Sequence, residues 1–177
     1  MTLPFVRLTR TTYRGHNPRW SFAPDSGEGA SLHGGRFNAV GVAALYTSLR
    51  PETAWLEAQQ GFAFKAQPLT LCAYDVDCEH VLDLTSAAGR RSAAVSLADL
   101  ACPWADLASR GVTPPTWDLA TRLTDRSCAA IIVPSFALGA APQDVNVIFW
   151  TWGPDAPHRV QVVDDHGRLP LDDSSWR

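Results

Sequence analysis

The chain has 177 residues, 46% of them apolar and 19% charged, which suits one globular domain with a sizeable core and excludes a disordered tail. Its net charge of −3 excludes a surface built as a whole to coat nucleic acid, so no direct nucleic-acid binding is expected. That sum hides an asymmetry: residues 1–50 hold six arginines against Asp25 and Glu28, a net of +4, while residues 51–177 come to −7.

In chain order, residues 4–14 (PFVRLTRTTYR) are expected to form a short strand pair, or a strand and its turn, with Val6 and Leu8 on one face. Residues 15–41 hold six of the twelve glycines and few long apolar side chains. So irregular a stretch inside a compact domain usually binds something or closes over it. ALYTS at 44–48 suits a short strand, and RPETAWLEAQQG suits a helix, with Pro51 in its first turn and Gly61 as its stop. Residues 69–76 and 81–85 have strand patterning. Two helices are then expected, over 96–111 with a break or kink at Pro103, and over 116–127 with Thr116 as its cap. CAAIIVP at 128–134 is an unbroken apolar run that fits a buried strand, followed by strands in 144–152 and 159–163. Strands outnumber helices without repeated βαβ units. The fold class predicted is therefore α+β, with a mixed or antiparallel central sheet and helices beside it.

Several classes fall away. No apolar run approaches the roughly 20 residues of a membrane-spanning helix, and MTLPFVRLTR lacks the pattern of a signal peptide. Cys72, Cys78, Cys102 and Cys128 have no CxxC spacing and no histidine cluster near them, which argues against structural zinc. Scattered single cysteines fit a reducing, cytoplasmic setting. All but one of the fifteen basic residues are Arg. The cause is either a GC-rich coding sequence or a need for planar, bidentate recognition of phosphate or carboxylate.

The chemistry-bearing residues are few. In HGGRFN (33–38), paired glycines allow positive φ or close approach of backbone to a ligand, with Arg36 directly after them; a tight turn with an exposed Arg is the plainer alternative. Neither GxGxxG nor GxxxxGK[ST] is present. Tyr46 suits a cross-strand aromatic. Glu57 shares a helix face with Ala54, Ala58 and Gly61, so its carboxylate is either capped by an Arg or directed into a cleft. Ser135, at the end of a buried strand, suits a ligand contact or a turn. Asn146, a polar residue in an apolar strand, suits an amide bonded to main chain or a ligand contact. Arg14 and His16, between Tyr13 and Trp20, suit an anionic or aromatic ligand, or a self-packed turn. No GxSxG, HExxH or other nucleophile or metal pattern occurs.

Together, YRGHNPRW, GASLHGGRFNAVGVAALYTSLRPETAWLEA, VPSF and DVNVIFW resemble the RES family of bacterial toxins, named for an Arg, a Glu and a Ser. The dense part covers residues 13–58, with Phe37 where many members have Trp. The resemblance implies a single RES-type domain over 1–177, with 165–177 as a loosely packed tail, and a fold like the diphtheria-toxin-type ADP-ribosyltransferases. It implies consumption of NAD as substrate without a metal, and a cognate Xre-like antitoxin that covers the active site in the cytoplasm, with no membrane partner. Carried over by residue, Glu57, Arg36 and Tyr46 are the expected catalytic group. Arg14, His16, Arg36, Tyr46, Ser135 and Asn146 are the expected NAD-binding residues. The acceptor it implies is a protein, with phosphoribosyl pyrophosphate synthetase as one precedent; degradation of NAD by water or phosphate is the alternative. A non-catalytic module that holds a phosphorylated ligand is the alternative from another class.

Overall fold

A computed structural model describes residues 2–59 and 67–176. The expected helix stop at Gly61 lies outside the described residues. Six strands form one mixed sheet: β1 (Val6–His16), β2 (Leu45–Ser48), β3 (Thr70–Asp83), β4 (Ala130–Pro134), β5 (Val145–Phe149) and β6 (His158–Val162). Their order is β1-β2-β5-β4-β3-β6, and β1 also pairs with β3, so the ladder returns on itself. Among the described strands, only the β3–β4 pair is parallel. Among the described residues are also six short α-helices: α1 (Glu28–His33), α2 (Pro51–Ala58), α3 (Ala87–Ser92), α4 (Leu97–Leu100), α5 (Trp104–Ser109) and α6 (Pro115–Thr124).

The expected α+β class holds, and three local expectations change. Residues 4–14 supply one long strand rather than a strand pair, because β1 runs along β3 from Val6↔Val81 to His16↔Thr70. The two strands expected in 69–76 and 81–85 are one, β3, which passes His80 with a left-handed φ of 58° opposite a register shift between Val6 and Leu8. A bulge there absorbs the residue that broke the sequence pattern. Helix α6 begins at Pro115 rather than at a Thr116 cap. Proline's fixed φ suits the first helical position, and Thr116 is buried inside the helix, its Oγ1 3.7 Å from Cys102 Sγ. Pro103 breaks the segment before it cleanly into α4 and α5.

Strand alternation divides the core in two. On one face, Ile131, Val133 and Ile148 pack with Leu100, Leu119 and Leu123 of the helices. On the other, Ala130, Val147 and Phe149 meet Tyr74, Val76 and Cys78 of β3, strand against strand. Tyr46 and Ile148 are paired neighbours, as are Ser48 and Asn146. Period-2 alternation therefore puts Tyr46, Ser48 and Asn146 on the face shared with Ile148, in one row at the sheet's end. Helix α2 lies across β1 there. A Cβ on Gly15 would stand 3.0 Å from Ala58 Cβ and 3.2 Å from Ala54 O, so the small-residue face of α2 seats the helix directly on the strand.

Candidate active site

Glu57 lies at the centre of this row. Its Oε1 accepts hydrogen bonds from Ser135 Oγ and from Asn146 Nδ2, both at 2.5 Å. Asn146 is oriented in turn by Ser48, whose Oγ–H donates to Asn146 Oδ1 at 2.7 Å and so leaves the amide N–H₂ facing the carboxylate. Ser135 follows β4, and its amide donates to Asp144 O at 2.8 Å, which continues the β4–β5 ladder to this point. Three elements thus converge on one carboxylate. Glu57 lines two adjoining clefts of about 270 and 280 Å³ that share Tyr46, Glu57 and Asn146, as the cleft alternative expects.

Arg36 stands on the first cleft, with Phe37, Trp104, Phe136 and Ile148. Its Nη1 donates to Cys102 O at 2.6 Å and Leu100 O at 3.2 Å, and the guanidinium lies 5.0 Å from the Phe136 ring centroid. Burial draws its pKa down, while the nearby Glu57 and Tyr46 act the other way. Among the described residues no other hydrogen bond holds the guanidinium, so Nε and Nη2 keep the fork that suits a bidentate anion. The HGGRFN turn lines the first cleft and is also held by close protein contacts. Gly34 has φ +71°, and a Cβ on Gly35 would stand 2.5 Å from the Tyr46 hydroxyl and 2.7 Å from Asn38 Oδ1. That hydroxyl accepts from Phe37 N at 2.9 Å and donates to Asn38 Oδ1 at 2.7 Å. Burial raises the phenol's pKa, which keeps it a neutral hydroxyl. Tyr46 therefore bolts the turn to β2, with its ring as a wall common to both clefts.

Arg14 stands on the second cleft and also borders a third, larger recess of about 670 Å³ with His16, Trp20 and Gln59. Arg14 Nη1 donates to Pro24 O at 2.8 Å, and Tyr74 OH donates to the same carbonyl at 2.7 Å, so the loop after β1 is tied down. His16 is 7% exposed, and among the described residues neither of its ring nitrogens has a hydrogen-bond partner. Burial first, and the charge of Arg14 second, lower its pKa to about 4, so the ring is neutral near pH 7.

Arg36, Tyr46, Glu57, Ser135 and Asn146 are thus gathered at one place, with Arg14 at the far side of the second cleft and His16 buried behind it. Ser48, Trp104 and Phe136 belong to the same walls and were not anticipated. Ser48 is visible only once β2 is set against β5, whose register pairs it with Asn146. No group of three or more His, Cys, Asp or Glu side chains among the described residues is arranged to hold a metal ion. No helix among them is long and apolar enough to cross a membrane.

The molecule is an α+β protein in which the Glu57 carboxylate lies between two adjoining clefts, one lined by Arg36 and the other by Arg14. Residues 8–172 match the RES domain, and the chain belongs to that family. No curated protein matches it. Among solved structures, a chain from the crystal structure of the M. tuberculosis MbcT–MbcA toxin–antitoxin complex is similar, with a TM-score of 0.61 and 20% identity over 90% of this chain and 84% of that one. At that identity the likeness shows a shared fold.

Proposed function

We propose that this chain is the toxin of a toxin–antitoxin pair, and that it cleaves the nicotinamide–ribose bond of NAD and transfers ADP-ribose to a cellular protein. The observation that carries the reading is Glu57, held by Ser135 and Asn146 at the junction of two clefts that carry Arg36 and Arg14. Heterolysis of an N-glycosidic bond passes through an oxocarbenium-like state, which a fixed carboxylate stabilises as its positive charge develops. The same carboxylate can hold a ribose hydroxyl or take a proton from the incoming acceptor. Arg36, through Nε and Nη2, and Arg14 would clamp the diphosphate. The Tyr46 ring, shared by both clefts, would lie against the cationic nicotinamide. Nicotinamide leaves neutral, so the step needs no metal. An ADP-ribosyltransferase-like fold is part of this proposal, supported by the mixed sheet and its row of polar residues. An Xre-like antitoxin over the cleft is another part, supported by the toxin–antitoxin complex to which the chain is similar.

A second reading, transfer to water or phosphate, is favoured by the loop between β1 and α1. It is pinned to the sheet through Pro24 and Asp25, whose carbonyls accept from Arg14, Tyr74 and Trp152, and so does not extend outward as a docking arm. Purified protein is to be incubated with NAD, alone, with phosphate and with cell lysate. Release of nicotinamide is expected, and a labelled protein band from labelled NAD identifies a protein acceptor. Free ADP-ribose or its phosphate, without a band, moves the assignment to the second reading. No nicotinamide in any arm overturns both.

A further inference from the structure

Helix α2 is joined to the chain at the start of β5 by two side-chain rungs. One is Asn146 to Glu57, described above. The other is Thr53, fully buried, whose Oγ1 donates to Asp144 Oδ1 at 2.5 Å. Thr53 and Glu57 are four residues apart on the helix, a rise of about 6 Å. Asp144 and Asn146 are two apart, about 7 Å in extended chain. The two spacings match, so the rungs lie side by side and fix the rotation of α2 as well as its distance from the sheet.

Asp144 does more than anchor the helix. Its Oδ2 accepts from Ala141 N at 2.8 Å, its carbonyl accepts from Ser135 N at 2.8 Å, and Arg50, at the N-cap of α2, stands 3.7 Å from Oδ1. The Thr53 hydroxyl first, and the Ala141 amide second, hold its carboxyl below the ordinary aspartate range, so it is an anion and a strong acceptor. One residue thereby links the helix that carries Glu57, the segment that carries Ser135 and the strand that carries Asn146.

We infer that Thr53 and Asp144 are positioning residues that hold the Glu57 carboxylate in line with Ser135 and Asn146. The inference rests on Glu57 as the carboxylate that acts on NAD, and its test separates the two. Thr53→Val keeps the side-chain shape and removes the donor, while Thr53→Ser keeps the donor. Steady-state nicotinamide release is measured for both, together with the Asn146 side-chain N–H₂ signals in a ¹⁵N spectrum, identified by their loss in Asn146→Ala.

Thr53→Val is expected to lower kcat by roughly tenfold to a hundredfold, because displacement of a reacting group by about 1 Å has effects of that order. KM for NAD should stay within about twofold, since the diphosphate contacts are untouched. The Asn146 signals should move in Thr53→Val, and Thr53→Ser should recover most of the lost turnover and restore the signals. Unchanged kcat with unmoved signals in Thr53→Val overturns the inference, as does an equal loss in Thr53→Ser. If Thr53→Val does not fold, Asp144→Asn replaces it. That variant retains a weaker acceptor, and unmoved Asn146 signals there overturn the inference equally. If the unmodified protein releases no nicotinamide, the NAD reading fails and the Asn146 signals alone decide whether Thr53 holds the pair in place.

Discussion

The α2–β5 side of the site and the strand β1 beside it are built in opposite ways. On the α2–β5 side, each of Thr53, Asp144, Ser48, Asn146 and Ser135 has a hydrogen-bond partner within 2.8 Å, and the chain of contacts ends on Glu57. On the β1 side, Thr12 Oγ1 and both ring nitrogens of His16 are buried with no hydrogen-bond partner among the described residues. A polar atom buried without a partner costs about 1–3 kcal/mol, whereas a satisfied network fixes geometry at little net cost. The difference teaches that hydrogen-bonding order is concentrated around the Glu57 carboxylate, while buried polar atoms of β1 are left without such partners among the described residues.

Three measurements would break or sharpen that contrast. The largest effect is expected from Glu57→Gln, which leaves the shape of the ordered side intact but removes its charge. Nicotinamide release should fall by about 10²–10³-fold, the order seen when one electrostatic stabiliser is lost. A thermal midpoint close to that of the unmodified protein should accompany it, and retained turnover would refute the role given to Glu57.

The β1 side should instead be sensitive to acid. His16 binds its proton with a pKa of about 4 when folded, against about 6.5 when unfolded, so the unfolded chain holds the extra proton between those values. The contribution of His16 to stability is essentially complete above pH 6.5 and falls as the pH drops toward 4, by up to about 3 kcal/mol. Denaturant midpoints measured across that range should show the decline, and His16→Leu should flatten it. An unchanged slope in His16→Leu would place the acid sensitivity elsewhere. The smallest effect is expected at the HGGRFN turn on the first cleft. Gly35→Ala sets a methyl against the Tyr46 hydroxyl and should cost about 1–3 kcal/mol, read as a lowered melting temperature. A melting temperature unchanged by that methyl would mean the turn is looser than the contacts at Gly35 indicate.

Much of this architecture was legible in the chain itself. The α+β class, α2 with Pro51 in its first turn, and β4 as an apolar run all follow from local pattern, because each is decided by neighbouring residues. The long β3 was not legible, since its continuity depends on β1 lying alongside and on a bulge at His80 that interrupts the alternation. The paired glycines allow positive φ or close approach of a ligand; Gly34 takes the positive φ and both line the first cleft, while the room Gly35 leaves for the Tyr46 hydroxyl is a contact that exists only after β2 is placed. Family resemblance singled out Arg36, Tyr46, Glu57, Ser135 and Asn146, and the fold brings them together. Ser48, Thr53 and Asp144 carried no signal of their own. Ser48 and Asn146 are 98 residues apart, and Thr53 and Asp144 are 91 apart, so their partnership is a property of register rather than of sequence spacing.

Strand β2 is only four residues long, yet both charges on the first cleft are set against it. Tyr46 locates the turn that bears Arg36, and Ser48, two residues on, turns Asn146 toward Glu57. Cation and carboxylate are therefore gauged from a common datum. A slip of β2 by one residue would turn both side chains to the opposite face and misplace the two charges in the same event. The placement of the two charges is accordingly a joint property, gained or lost as a pair when β2 docks.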